Sequence, residues 1–415
     1  MQAFHLKIKK RYYIISCMLF IICGGSFLCL SFNVPSTNSN STAEPDTGYA
    51  GSKTCMNCHK DIYTEHIKTA HYLSSSLASA QSVKGSFKQG ENTFVYNKFM
   101  KVVMEKTDSS FFQTAYVSNT AYQSAPFDIV IGSARKGQTY LYWNGDKLFE
   151  LPVSYYTKLN SWCNSPNLNP AFVNFGKPIS ARCMECHATY AQTQEQPDSS
   201  AVFEKNSIIL GIDCERCHGA AEQHVVYHMQ HPHDTIAKYI INPKLLSRAR
   251  QLDACALCHS GVRKEIQPAF SFTVGDTLNK YSLPAYNPDS TSWLDVHGNQ
   301  YGLLTSSKCF KMSSMTCSSC HDVHKEEINE PKLFSSRCMD CHTDAAHNFC
   351  TLTALPQSEL VNNCIDCHMP LLPSKKIFLE MSDKNKSTPD LVRTHRIAIY
   401  PEQTKMFIER LQKNK

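Results

Sequence analysis

Glycine and apolar residues are scarce in this chain. It has only 16 glycines among 415 residues, and its apolar fraction of 42% lies at the lower edge of the range for soluble globular proteins. Long periodic helical patterns are also few. The chain can therefore build a hydrophobic core, but the low apolar fraction excludes a large one. Cysteine and histidine are abundant instead, with 20 and 18 residues, so the composition is rich in potential ligands.

The N-terminus lacks the features that lead to lipid attachment or clean removal. Cys23 and Cys29 follow large apolar residues, whereas a lipoprotein site needs a small one, and no clear cleavage site closely follows the apolar run 12–32. That run of about 21 residues is near the ~20 that span a bilayer, and it follows four basic residues within 7–11. We expect a signal anchor in a bacterial inner membrane, with a cleaved signal peptide as the alternative. Both place the remainder on the periplasmic side.

One pentapeptide, Cys-x-x-Cys-His, occurs seven times. At the cysteine and histidine frequencies of this chain, chance would give on the order of 0.04 copies, and the pattern is the attachment signature of c-type haem. On a helical turn, positions i, i+3 and i+4 share one face. Both thiols can then bond to one porphyrin while the histidine faces its iron.

The sequence therefore predicts seven covalently bound haem c groups, and we number the motifs in chain order. The predicted attachment cysteines are Cys55 and Cys58, Cys183 and Cys186, Cys214 and Cys217, Cys255 and Cys258, Cys317 and Cys320, Cys338 and Cys341, and Cys364 and Cys367. The predicted proximal iron ligands are His59, His187, His218, His259, His321, His342 and His368.

Zinc and disulfide bonds are the alternatives for a Cys-x-x-Cys pair. Half of a tetrahedral zinc site has this spacing, but zinc gives no reason for a histidine after the second cysteine in every copy. Seven disulfides closing two-residue loops would be poor cross-links and would also leave the histidines unexplained. Both alternatives account for less of the pattern than haem does.

Ten histidines beyond position 5 lie outside the motifs, enough to give every iron a second histidine. His324 follows His321 by three positions, a reach of roughly 10 Å, which is too short to pass round a macrocycle to the opposite face of the same iron. His324 would therefore serve a neighbouring haem. The same reasoning applies to His224 and His347, and such ligands would bring haems close together.

Three further cysteines lie outside the motifs and the N-terminal segment: Cys163, Cys309 and Cys350. Because their number is odd, at least one is unpaired within the chain. A disulfide between Cys309 and Cys350 is one alternative in an oxidising compartment. Cys163 is either a reactive thiol or an inert buried one.

Short apolar alternations within 86–153 predict a small antiparallel β unit, and Asn144-Gly145 between two of them is a hairpin signal. Regular periodicity is sparse elsewhere, and stacked porphyrins can fill the interior. We therefore expect a mainly α fold with much irregular structure around the haems, and a small β insertion between the first and second haem. The predicted segments are 1–33, signal anchor or signal peptide; 34–50, flexible tether; 51–85, first haem; 86–160, β-rich insertion; 161–371, multihaem core; and 372–415, C-terminal segment with a possible distal histidine.

Five stretches resemble the multihaem c-type cytochromes, particularly the group that includes the tetrahaem cytochrome c of hydroxylamine oxidation. They are "YAGSKTCMNCHKDIYTEHIKTAHYLSS", "RCMECHATY", "GIDCERCHGAAEQHV", "MTCSSCHDVHK" and "CIDCHMP", within residues 49 to about 370. The resemblance implies sixth iron ligands at His71, His224, His324 and His395, and it extends less directly to His297 and His347. The chain departs from a tetrahaem pattern by its seven motifs and by the insertion before the second.

The formal charge of +6 gives no reason to expect a nucleic acid partner. Seven haems add about −14 from propionates and about +7 from ferric cores, so the oxidised protein carries roughly −1. We expect electron transfer outside the cytoplasm between a membrane-linked donor, possibly quinol-linked, and a redox partner protein. The alternative is an oxidoreductase that acts on a small nitrogen or sulfur compound at an iron without a sixth ligand. The haems of His187 and His259 are candidates, since no unassigned histidine closely follows either. The alternative is that remote histidines such as His66 or His297 fill these positions.

Overall fold

Antiparallel sheets make up much of the fold. The computed structural model describes residues 48–285, 294–343, 349–382 and 387–413, which all belong to one compact unit, 43–415. Over these described residues the protein is mixed α/β, with 29% helix, 26% strand and several antiparallel sheets. The expectation of a mainly α fold with one small β insertion is therefore wrong.

The described ranges contain many short helices and strands. The α-helices there are α1 (Ser52–Cys55), α2 (Lys60–His66), α3 (Ala181–Glu185), α4 (Cys214–His218), α5 (Glu222–Gln230), α6 (Arg248–His259), α7 (Gln300–Thr305), α8 (Lys308–Lys311), α9 (Pro331–Met339), α10 (Gln357–Leu360), α11 (Cys364–His368) and α12 (Pro401–Lys413). The strands there are β1 (Ser75–Leu77), β2 (Thr93–Asn97), β3 (Met100–Lys106), β4 (Phe111–Val117), β5 (Thr120–Pro126), β6 (Ile129–Ile131), β7 (Gly137–Asn144), β8 (Lys147–Glu150), β9 (Val153–Tyr156), β10 (Ser161–Asn164), β11 (Lys177–Pro178), β12 (Ala188–Tyr190), β13 (Thr193–Glu195), β14 (Ala201–Phe203), β15 (Ile209–Leu210), β16 (Arg263–Glu265), β17 (Ser282–Pro284), β18 (Leu371–Glu380) and β19 (Ser387–Arg393).

A four-stranded meander, β2-β3-β4-β5, packs against a nine-stranded sheet. One hydrophobic core joins them, with Phe94 and Met104 from the meander and Tyr140 and Val153 from the larger sheet, each at most 3% exposed. Alternate side chains of a strand point to opposite faces, so each sheet gives one face to this core. The conventional core of the protein is therefore built from strands.

The nine-stranded sheet is built around the hairpin of β7 and β8. Its main path runs β1-β6-β7-β8-β14-β13, with β9, β10 and β11 attached at the side. Asn144 pairs with Lys147 across the turn, and Gly145 has a φ of 64°, which glycine adopts readily. The hairpin predicted at Asn144-Gly145 is confirmed.

The same sheet supports the helix of the second motif. Ala181 and Met184 of α3 are at most 1% exposed and pack among Ile129 and Leu148 of the sheet. After this motif, β13 and β14 pair with each other, and β14 pairs with β8. Each has three residues, too few to show an alternating pattern. Tertiary pairing makes them strands, which is why the sequence underestimated the β content.

Smaller cores support later motifs. Leu257 of α6 is buried against Phe272 and Leu278. Further along the chain, β18 and β19 form a hairpin, and Asp390 of β19 accepts a hydrogen bond from Lys136 Nζ at 2.8 Å. The C-terminal hairpin is thereby tied to the loop that precedes β7.

The expectations for the N-terminus concern residues outside the described ranges. These include the whole predicted anchor, 1–33, and the tether as far as residue 47. Within the described ranges, no helix combines the length and the apolar character needed to cross a membrane.

Candidate haem sites

Each motif forms a helical turn. The third and seventh motifs are the helices α4 and α11, and the fourth ends α6. The backbone N–H groups of His59, His321 and His342 donate to the carbonyl of the first cysteine of their motif, at 2.8, 3.0 and 3.0 Å. In the second motif, the His187 N–H donates to the Met184 carbonyl at 2.9 Å. The expected helical turn is confirmed, and it brings the cysteines and histidine of a motif together.

Three motif histidines face a histidine from a distant part of the chain. The pairs are His71 with His259, at 6.0 Å between ring centroids, His218 with His324, at 6.1 Å, and His321 with His395, at 6.2 Å. The second and third pairs have nearly parallel rings, at 22° and 27°, whereas the first pair is nearly perpendicular, at 81°. Each pair combines a predicted proximal ligand with a predicted distal one.

The spacing within these pairs fits two imidazoles on opposite sides of one metal ion. Bonds from a metal to an imidazole nitrogen are about 2.0 to 2.1 Å, and each ring centroid lies about 1.1 Å behind its nitrogen, which places opposed centroids about 6.2 to 6.4 Å apart. The observed separations are 6.0 to 6.2 Å. The residues of these three pairs therefore fit a haem iron held by two histidines.

Backbone carbonyls orient three histidine rings, of which that of His218 belongs to one of the pairs. His218 Nδ1 lies 2.8 Å from the Ile241 carbonyl oxygen, and His224 Nδ1 lies 2.8 Å from that of Lys238. His368 Nδ1 lies 3.0 Å from the carbonyl oxygen of Ala398. A carbonyl only accepts, so Nδ1 carries the proton in each ring. Nε2 then keeps its lone pair, as metal ligation requires.

The segment that carries His71 is held by residues just before the third motif. The Ile212 N–H donates to the His71 carbonyl at 2.9 Å, and the Gly211 N–H donates to Ser75 Oγ at 2.9 Å. Gly211 has a φ of 78°, and a Cβ atom there would lie 2.3 Å from the Tyr72 carbonyl oxygen. Only glycine allows this close approach.

The other predicted distal histidines lie elsewhere. His224 is half-buried on α5, with its ring 4.6 Å from that of His228. His297 is exposed, and its backbone N–H donates to the Asp295 carboxylate at 2.9 Å. His347 lies outside the described residues.

A buried histidine that was not among the predicted distal ligands lies beside one of the pairs. His66 is 7% exposed, its ring centroid is 6.2 Å from that of His324 at 65°, and its Nε2 is 3.8 Å from Asp213 Oδ1. It ends α2, two helical turns after His59. The sequence reasoning named it only as a remote alternative for the irons of His187 and His259, and its helical spacing from His59 is a signal that could have singled it out.

Glu215, which stands between the two cysteines of the third motif, binds the first motif. Its Oε1 accepts hydrogen bonds from the Ala50 and Ala221 N–H groups, both at 2.8 Å, and its Oε2 accepts one from the Gly51 N–H at 2.9 Å. Gly51 precedes α1, the helix that ends at Cys55. We call this arrangement the Glu215 clamp.

Two arginines place the second motif between the third and the fourth. Arg216 of the third motif donates from Nη2 to the Glu185 carbonyl at 3.0 Å. Arg182, just before the second motif, donates from Nη2 to the carbonyl of Leu257 in the fourth, at 2.5 Å. The second motif therefore bonds to both neighbours.

Similar bonds continue through the remaining motifs. Arg248 of α6 donates to the Met315 carbonyl, just before the fifth motif, at 3.0 Å. Arg337 donates to the carbonyl of Cys320 in the fifth motif at 2.6 Å, and the N–H of Cys364 in the seventh donates to Ser335 of α9 at 3.1 Å. The motifs are thus linked in the spatial order first, third, second, fourth, fifth, sixth and seventh.

Thiols from different motifs also contact each other. The contacting pairs are Cys55 with Cys214, Cys186 with Cys258, Cys255 with Cys317, and Cys338 with Cys364. They join neighbours in the same spatial order. The sequence did not reveal this order, because the two variable positions of Cys-x-x-Cys carry no pattern that pairs one motif with another.

The three remaining cysteines are free thiols in the structure. Cys163 lies in β10 and is 2% exposed, and its burial raises its pKa to about 12. It is therefore the inert buried alternative, because the thiolate is the reactive form. The disulfide considered between Cys309 and Cys350 is not formed.

Two comparisons with known proteins found similarity to cytochromes. Residues 165–219, which contain the second and third motifs, match the family described as "Cytochrome c554 and c-prime". The chain is also similar to the "Multiheme cytochrome MtrA" of Shewanella baltica (strain OS185), with 23% identity over 188 residues. That match covers 41% of this chain and 55% of the relative, so the chain spans little more than half of the relative's length. No solved structure matches.

Proposed function

Because this chain is a multihaem c-type cytochrome, we propose that it binds seven haem c groups and transfers electrons outside the cytoplasm. The observation that carries the proposal is the set of three facing histidine pairs at 6.0 to 6.2 Å. When bound, haem supplies an iron that changes between the ferric and ferrous states. Two histidines per iron suit electron transfer, since they leave no position for a substrate.

We propose specific ligands for three irons, which the three pairs support. His71 serves the iron of His259, His324 serves that of His218, and His395 serves that of His321. His224 is proposed for one of the remaining irons, because its Nδ1 is held by a carbonyl and its Nε2 is free to bind.

The spatial order of the motifs supports a continuous electron path. Hydrogen bonds join each motif to the next in that order. Such links hold neighbouring haems close and at fixed spacing, as electron hopping needs. The first and seventh motifs form the two ends, where electrons enter and leave.

We propose that the partners are redox proteins on the periplasmic side of a bacterial inner membrane. The donor is membrane-linked and possibly quinol-linked. The support is the N-terminal sequence, in which the apolar run 12–32 follows a basic segment. This run either anchors the protein or is removed with a signal peptide, and no nucleic acid takes part.

The test is a ferric spin-state spectrum of the matured protein, with the haem count measured by pyridine haemochrome. We expect seven haems per chain, low-spin iron and no spectral response to cyanide or nitrite. A protein without covalently bound haem would refute the proposal outright. A high-spin fraction that binds these ligands would refute electron transfer as the sole function.

A multihaem oxidoreductase is the second candidate, and the structure narrows where an open iron could be. His259 faces His71 at 6.0 Å, which supports a sixth ligand for the haem of His259. Within the described residues, no histidine ring is paired with that of His187. Of the two haems that the sequence singled out, that of His187 is therefore the one to examine for binding of a small nitrogen or sulfur compound.

A further inference from the structure

Three charged side chains meet where the second, third and fourth motifs join. Arg182 and Glu185 form an ion pair, and Arg216 Nη2 lies 3.7 Å from Glu185 Oε1. We call these three residues the charge cluster. The side chains of Glu185 and Arg216 are 6% and 9% exposed, and that of Arg182 is 18% exposed. Water therefore screens this cluster much less than it screens surface charges.

The Glu185 carboxylate has several partners besides the arginines. Its Oε1 also accepts a hydrogen bond from the Phe270 N–H at 2.8 Å, and Phe270 has a φ of 66°. The Arg216 guanidinium lies over the Phe270 ring, 5.6 Å from the centroid. The carboxylate is thus fixed in place, and its charge cannot move away from the motifs.

The cluster carries a net charge of +1, because two guanidinium groups share one carboxylate. Glu185 itself lies between the two cysteines of the second motif, and Arg216 lies between those of the third. Through Arg182, the cluster also bonds to Leu257 of the fourth motif. A fixed positive charge near an iron favours its reduction, since reduction lowers the charge of the site by one.

We propose that the charge cluster is a positioning and tuning device that sets the reduction potentials of the haems in the second, third and fourth motifs. This rests on the proposed haem-based electron transfer. Glu185 lowers these potentials, and Arg182 and Arg216 raise them. The step it controls is the transfer of one electron to ferric iron from a donor protein or a chemical reductant, with no bond formed or broken.

The experiment is an optical redox titration of the matured protein with chemical reductant and mediators. Glu185→Gln keeps an acceptor for the Phe270 N–H and removes one negative charge, so the midpoints of one or more haems should rise. Arg216→Gln removes a positive charge, and midpoints should fall. We expect roughly a tenfold change in the reduction equilibrium constant, since the cluster is buried and a unit charge there is only weakly screened. For one electron, tenfold is about 59 mV.

The opposite signs separate tuning from structural damage. A variant that merely loosens the site would shift both titrations in the same direction or convert iron to the high-spin form. The control is Glu105→Gln on β3, which changes the net charge of the protein by the same amount as Glu185→Gln. The Glu105 carboxylate bonds to Thr114 and Tyr116 of the meander. The titration of this variant should match that of the wild type.

Each outcome decides one of the two proposals. If both cluster variants have the midpoints of the wild type, or if their midpoints shift in the same direction, the tuning role is overturned while the proposed electron transfer stands. If Glu185→Gln does not mature, the sign of the Arg216→Gln shift still decides, and an unchanged or higher midpoint overturns the role. A wild-type protein without redox-active haem would instead refute the proposed function.

Discussion

Removal of the Glu215 clamp should destabilise the protein by a predictable amount. The carboxylate accepts three backbone hydrogen bonds at 2.8 to 2.9 Å. One of the donors, the Ala221 N–H, belongs to a residue that is 1% exposed, whereas Ala50 and Gly51 are half-buried. A buried N–H left without a partner costs about 1 to 3 kcal/mol. Because water can reach two of the three donors, Glu215→Ala should cost roughly 3 to 5 kcal/mol in total.

A milder substitution should give a smaller loss. Glu215→Gln keeps one oxygen, which can still accept two of the bonds, but it turns an amide towards the third N–H. We expect a cost of about 1.5 to 3 kcal/mol. Glu222→Ala on α5 is the matched control, because Glu222 is exposed, and it should change stability by no more than about 0.5 kcal/mol.

Thermal unfolding followed by circular dichroism measures these effects. Unfolding entropy is about 2.1 cal/mol/K per residue, which for a compact unit of roughly 370 residues gives about 0.8 kcal/mol/K. Glu215→Ala should therefore lower Tm by about 4 to 6 °C, and Glu215→Gln by about 2 to 4 °C. A drop below about 1 °C for Glu215→Ala, or equal drops in both variants, would refute the account of the clamp.

Three further outcomes are expected. His395→Ala should convert the haem of His321 to a high-spin form that binds cyanide, whereas His231→Ala, at an exposed histidine of the α5 region, should leave the ferric spectrum unchanged. Gly211→Ala should lower the free energy of unfolding by roughly 2 to 4 kcal/mol and disturb the spectrum of the haem served by His71. Gly145→Ala should lower it by only about 1 kcal/mol, because a Cβ at Gly145 meets open space. Equal effects of the two variants in thermal unfolding would contradict this. Burial raises the pKa of Glu150 against the opposing effect of Lys177. The native protein therefore binds this proton more tightly than the unfolded chain does, and it loses stability as pH rises from about 4.5 through the raised pKa. The Tm of Glu150→Gln relative to wild type should increase over that pH window, and a constant difference would contradict the raised pKa.

The helical turns of the seven motifs could be predicted from the sequence because their pattern is local. Two thiols and a histidine must share one turn, and five consecutive residues encode that turn completely. The facing pairs could be predicted only in part. His71 meets His259 because Gly211 and Ile212, about 140 positions after it, hold its segment in place. No local pattern encodes such a contact.

The β content was underestimated for a related reason. The hairpin at Asn144-Gly145 has long alternating strands and a turn signal, and it was found. By contrast, β13 and β14 are strands only because a neighbouring sheet pairs with them. The same limitation hid Glu185, Glu215 and Arg216, whose positions inside the motifs look unconstrained in sequence although they join one motif to another.

The Glu215 clamp also bears on the order in which the chain can mature. The residues that it joins are separated by 164 and 165 positions in the sequence. A chain that emerges with its N-terminus first therefore presents Cys55 and Cys58 long before Glu215 is available to form the clamp. Contacts across such long loops form slowly. Ser335 and Cys364, which link the sixth and seventh motifs, are only 29 positions apart. If haem is attached as proposed, the first motif would therefore be open to attachment for longest, whereas the last two would close soon after they appear.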